Sequence, residues 1–209
     1  QQMDVPQVHI YADLLVESPS TDDSQKVRII ETAEIIARYS QAMWQENNKP
    51  NWVGEFGVID SRAGNDYYPE LLHYAIWAGL ASGAALTPAE WNDGGTWGRM
   101  TSEMKKHMAY FSQFVNEIPL AKWNPKPITL SKVTPLDNDK AQLRAWGIAG
   151  QEGGIIWLQD YSLTNSTIAE IRANRKSVPG AILSVAGLAS GIYQVSPYDT
   201  WQGEFGVSF

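Results

Sequence analysis

The residue of this chain best placed to do chemistry is a carboxylate at the end of an apolar strand. Glu55 stands in Asn51-Trp52-Val53-Gly54-Glu55-Phe56-Gly57, which a polar loop follows. The C-terminal ends of parallel strands are where α/β barrels carry their catalytic groups. Taken on position, such a Glu is either catalytic or a solvated surface residue. His9-Ile10-Tyr11 lies one helical pattern earlier, and strand alternation puts His9 and Tyr11 on the same face. A packed strand with satisfied polar tips is the plainer account of that pair. The chain holds nine Trp, which either fill a core or offer flat faces to a ligand such as a sugar ring. Its three His (His9, His73 and His107) lack metal-ligand spacing, and with zero Cys there is no thiolate chemistry, disulfide or Cys-held metal. The glycines near Gly94 lack the lysine and spacing of a phosphate-binding loop.

The elements that must hold these residues read as βα units. A first strand, Val5–Tyr11, precedes a helix capped at Ser20 or Thr21, with Asp22 and Asp23 in its first turn and Val27, Ile30, Ala33, Ile36, Ala37, Ser40, Met43 and Trp44 at helical spacing. Asn47-Asn48-Lys49-Pro50 stops it. The strand of Glu55 leads to a helix from Tyr68 to Ser82 with Pro69 in its first turn and Gly83 closing it. A third strand runs from Ala84 to Trp91, and a helix carrying Met104, Met108, Phe111, Phe114 and Val115 follows. Asn124-Pro125-Lys126-Pro127 reads as a linker. Beyond it, Ile128–Thr134, Ala141–Ala149, Ile155–Tyr161, Ala181–Ala186 and Gly191–Ser196 are short β-rich runs between turn clusters, the pattern of a small antiparallel sandwich.

In this order, Lys49-Pro50-Asn51-Trp52-Val53-Gly54-Glu55-Phe56-Gly57 resembles the seventh strand of clan A retaining glycoside hydrolases, close to the family five cellulase and mannanase type. His9-Ile10-Tyr11 is similar to the His-x-Tyr of that family's sixth strand, and Ala78–Ala85 leading to Trp91 is similar to its eighth. The resemblance implies Glu55 as catalytic nucleophile, Tyr11 as its orienter, and His9 and Trp91 as substrate-binding residues at the sugar. It implies an α/β plus all-β fold: the last three βα units of a (β/α)8 TIM barrel in residues 1–123, then an antiparallel β-sandwich accessory domain in residues 124–209. Arg144-Ala145-Trp146-Gly147, Ile155–Asp160 and Gly191–Thr200 resemble, with less specificity, the β domains that follow some of these barrels.

Retaining hydrolysis needs a second carboxyl group about 5 to 5.5 Å from the nucleophile. The family carries it in an Asn-Glu-Pro-like segment, which is absent here; Asn116-Glu117-Ile118-Pro119 sits at a helix end and takes no such role. Asp13, Glu17, Glu90 and Asp93 are local substitutes or solvated residues. With 209 residues against about 250 for a whole barrel, the chain is expected to be the C-terminal part of a larger enzyme, its start at Gln1-Gln2-Met3-Asp4 a processed or cut end. Its partners are then a β-linked polysaccharide or oligosaccharide and an upstream barrel half, from the same gene or another chain, or a second copy. The resemblance also implies secretion, and Asn165-Ser166-Thr167 would then be a glycosylation acceptor in a eukaryotic pathway.

Composition bounds these readings. A net charge of −7 without a Lys or Arg cluster speaks against a broad grip on nucleic acid or anionic lipid. No apolar run approaches the roughly 18 residues of a membrane span. No cofactor or metal is expected. In the β domain Trp146, Trp157 and Trp201 form either a sugar face or, as a sandwich core needs large side chains, packing. The competing reading for the chain is a non-catalytic carbohydrate-binding or assembly module.

Overall fold

The computed structural model describes residues 5–11, 31–57, 68–86, 88, 100–130, 134–135, 142–162, 168–174, 181–185 and 190–209. The first strand, β1 (Gln7–Tyr11), alternates: Gln7 and His9 are exposed while Ile10 is fully buried. Helix α1 (Glu31–Asn47) carries Glu31 and Glu34 at its positive end and buries Ala33, Ile35, Ile36, Ala37 and Ser40. It stops where Asn48 takes a left-handed φ of 49°, a conformation Asn tolerates better than most residues. The Ser20 and Thr21 cap lies outside the described residues.

Strand β2 (Asn51–Gly57) pairs in parallel with β1 on one side and with β3 (Ala84–Leu86) on the other. Its register against β1 steps from Val8↔Val53 to His9↔Glu55, leaving Gly54 as an extra residue on β2. Such a bulge resets the alternation of the strand that carries it. The half-buried positions of β2 are accordingly Trp52 and Glu55, three apart, while Val53 and Phe56 are fully buried in the core with Ile10 and the helices.

Helix α2 (Tyr68–Ala81) is buried at every described side chain, from Pro69 onward. The apolar stripe Leu72, Ala75, Ile76, Leu80 accounts for one face; the rest is covered by α1, by helix α3 (Ser102–Asn116) and by the β elements that follow. Gly83 closes α2 at φ 89°, and β3 is shorter than the run to Trp91, with residues 89–99 outside those described. In α3, Thr101 accepts a hydrogen bond from the Met104 amide at 3.2 Å, and the buried stripe is Met104, His107, Phe111 and Phe114. His107 takes the place in that stripe that periodicity had offered to Met108.

After the short α4 (Leu120–Trp123) and Asn124 at φ 46°, β4 (Lys126–Pro127) joins the antiparallel hairpin of β6 (Leu143–Ala149) and β7 (Gly154–Asp160). Of the run Ile128–Thr134, residues 131–133 lie outside those described; the Ile128 amide donates to the Gly147 carbonyl at 2.9 Å, Leu130 bridges to Val185, and Thr134 opens β5 (Thr134–Pro135). Helix α5 (Ile168–Asn174) and strand β8 (Ala181–Ile182), the partner of β5, follow. Gly191–Ser196 is irregular rather than a strand; Val195 and Phe209 exchange backbone hydrogen bonds of 2.9 and 3.0 Å just before Pro197, and the regular pairing is β9 (Tyr198–Asp199) with β10 (Glu204–Phe205).

One hydrophobic core runs from Ile10, Val53 and Phe56 through α1, α2 and α3 to Trp146, Ile148, Ile155 and Trp157. The Arg144 guanidinium donates to Glu34 Oε2 at 3.1 Å and lies 3.1 Å from the centroid of the Tyr161 ring, whose hydroxyl donates to Glu31 Oε1 at 3.0 Å. Two β-segment residues thus engage the first turn of α1.

Candidate active site

Gly54 has two effects on the geometry around Glu55. As the extra residue of the bulge it sets Glu55 directly beside His9 across the parallel pair. As a residue without a Cβ it leaves room for Gln7, whose carboxamide nitrogen a methyl group at Gly54 would overlap. Gln7, His9 and Glu55 therefore form a contiguous polar row that runs from the start of β1 to Glu55, two residues before the end of β2. His9 Nδ1 lies 3.3 Å from Glu55 Oε2, and His9 Nε2 lies 2.7 Å from Gln7 Nε2. The Glu55 side chain is 28% exposed and that of His9 43%, so the carboxylate is reachable from solvent but backed by the sheet. Glu55 is the one carboxylate within β1, β2 and β3.

A half-buried carboxylate held by an imidazole can serve as a nucleophile or as a proton acceptor. Comparison with protein-family models, with curated proteins and with solved structures finds no match, so the chemistry rests on this arrangement and on the resemblance of the strand sequences. Tyr11 ends β1 opposite Gly57, in the position expected of a residue two beyond His9, while its side chain lies outside the described residues. Trp91, Asp13, Glu17, Glu90 and Asp93 also lie outside them. Among the described residues no group of three or more His, Asp or Glu is arranged to hold a metal ion, and no helix is long and apolar enough to cross a membrane.

The other aromatic and His candidates are brought together elsewhere. Trp146 and Trp157 face each other across the β6–β7 hairpin, stacked at 5.5 Å between centroids and both buried, so they pack the core and present no sugar face. Trp201 is half-buried and lies flat on His73 at 3.4 Å between centroids. The Nδ1 atoms of His73 and His107 are 3.2 Å apart between α2 and α3, and Thr200 Oγ1 is 3.2 Å from His73 Nε2. These histidines anchor the C-terminal segment to the helices. Glu117 is the C-cap of α3, and Glu204 is exposed in β10.

Gln7 and Gly54 were the members of the site that sequence reasoning passed over. Both carried a signal. Gln7 is two residues before His9 and therefore on its face, and a Gly inside a strand marks a bulge or a close approach.

Proposed function

We propose that this chain is the nucleophile-bearing C-terminal part of a secreted retaining glycoside hydrolase acting on β-linked polysaccharide or oligosaccharide, its first part the end of a (β/α)8 barrel and its second an accessory β domain. The observation that carries the reading is the side-by-side placement of His9 and Glu55 on adjacent parallel strands, near their C-terminal ends. It adds to the order of the strand motifs, each separated by a helix.

In this reading a Glu55 oxygen forms a bond to the anomeric carbon while the glycosidic oxygen leaves with a proton from an acid group. Water then attacks the glycosyl ester, giving its proton back to that group and freeing Glu55. The acid group comes from the upstream part of the enzyme. His9 holds the carboxylate in place, and Tyr11 and Trp91 complete the sugar site. In the complete enzyme Glu55→Gln should abolish hydrolysis of an aryl β-glycoside with the circular dichroism spectrum unchanged, and a labelled 2-fluoro glycoside should attach at Glu55. Retained turnover would overturn the assignment.

One observation favours the competing reading of an assembly module. Among the described residues β1 and β3 each pair on one side only, and an unpaired strand edge is a template for another chain. Binding of insoluble polysaccharide by this chain, with no hydrolysis even after the upstream part is added, would decide for that reading.

A further inference from the structure

Glu55 needs its carboxylate free of a proton and fixed in direction if it is to attack carbon, so the protonation pattern of its neighbour matters. His9 has a polar contact on each ring nitrogen: Gln7 Nε2 at 2.7 Å from Nε2, and Glu55 Oε2 at 3.3 Å from Nδ1. A carboxamide nitrogen carries only protons to give, and a carboxylate only lone pairs. The two neighbours are therefore satisfied together by one neutral form of the ring, with Nε2 bare and the proton on Nδ1.

We propose that Gln7 is a positioning residue, acting through His9 to set the tautomer that donates a hydrogen bond to Glu55; the catalytic value of this role rests on the hydrolase reading above. Gln7 donates to His9 Nε2, and His9 Nδ1–H donates to Glu55 Oε2. Gly54 belongs to the same device, because a Cβ there would occupy the place of the Gln7 carboxamide. The obstacle such a Cβ meets is the end of a flexible, exposed side chain, so Gly54→Ala should displace Gln7 while the strands stay paired. Regular strand alternation without the bulge would set His9 opposite Gly54 and leave the row broken.

The test is read on this chain, without turnover. Long-range proton–nitrogen NMR correlations at pH 8, where an ordinary imidazole is neutral, should show His9 with its proton on Nδ1. Gln7→Ala and Gly54→Ala should each shift the population toward the Nε2–H form. Gln7→Glu, whose carboxylate accepts and does not donate, should place a proton on Nε2. In the complete enzyme Gln7→Ala should lower kcat by roughly tenfold to a hundredfold with KM little changed, the scale on which a misdirected reacting group slows chemistry. A wild-type His9 protonated at Nε2, or an Nδ1–H form unmoved by both Gln7→Ala and Gly54→Ala, overturns the proposal. These results are independent of the outcome for Glu55→Gln, so failure of the tautomer device and failure of the hydrolase reading are told apart.

Discussion

Single side chains hold the C-terminal segment to the helices, and Tyr198 shows how the attachment depends on protonation. Its hydroxyl donates to the Tyr110 carbonyl at 2.8 Å, and its ring packs on Phe114 and Phe205. Burial first, then the neighbouring Tyr110 and Asp199 charges, raise its pKa above the usual tyrosine value of 10.0. A phenol whose pKa is raised by folding contributes stability that is fully present below the unfolded pKa. That contribution is lost as pH climbs through the folded value, because the unfolded chain then gives up the proton more readily. Denaturant midpoints should therefore fall as pH rises above about 10. Tyr198→Phe should be less stable by about 1 kcal/mol at pH 7, having lost one hydrogen bond, yet lose less further stability between pH 9 and 11. Parallel wild-type and variant profiles over that range would remove Tyr198 from the alkaline transition.

At the level of elements, the joint between the two parts of the chain is the end of α2. Gly83 takes a φ of 89°, and a Cβ there would lie 2.9 Å from the Pro127 ring of β4. Gly83→Ala should therefore cost about 1 to 2 kcal/mol, from the left-handed backbone and from displaced β4; a urea midpoint within error of wild type would refute this. The stop at Gly83 was legible from sequence because glycine after an apolar helix is a local signal, as was the Asn47–Pro50 stop of α1. The contact with Pro127 was not, since no local pattern says what a turn packs against. The same distinction explains α3, where helical spacing located a buried stripe but His107 entered it because His73 and Trp201 wait across the interface. It also explains the site: Glu55 and His9 were legible as strand-end polar residues, whereas the bulge that aligns them belongs to the pairing of two strands.

Across the whole molecule, the question is whether the β segments fold on their own or with the βα units. Tyr74 of α2 lies 6.3 Å from Trp157 between ring centroids, and Trp157 stacks on Trp146, so the largest side chains of the hairpin insert into the helical core. The buried residues of β7 (Ile155, Trp157 and Gln159) alternate with Gly154, Ile156 and Leu158, which are exposed, giving the hairpin one buried face with α2 beneath it. A hairpin extended only by the two-residue β4 has little independent stability, since a two-stranded ribbon is marginal in water without a surface to pack on. Removing α2 from that face would strip the hairpin of its core, and removing the hairpin would expose one side of a helix that is buried at every described side chain from Pro69 onward. The two halves should therefore melt together. Trp157→Ala should cost about 3 to 5 kcal/mol as a large-to-small change in a packed core. For a chain of this size that lowers a single transition by about 10 °C. The decisive measurement is whether circular dichroism of the helices and Trp fluorescence of the hairpin move together. Fluorescence unfolding early while the helical signal keeps its wild-type midpoint would mean that the β segments form a separate cooperative unit. Coincident curves displaced as one would mean that the scaffold holding Glu55 depends on a tryptophan about a hundred residues further along the chain.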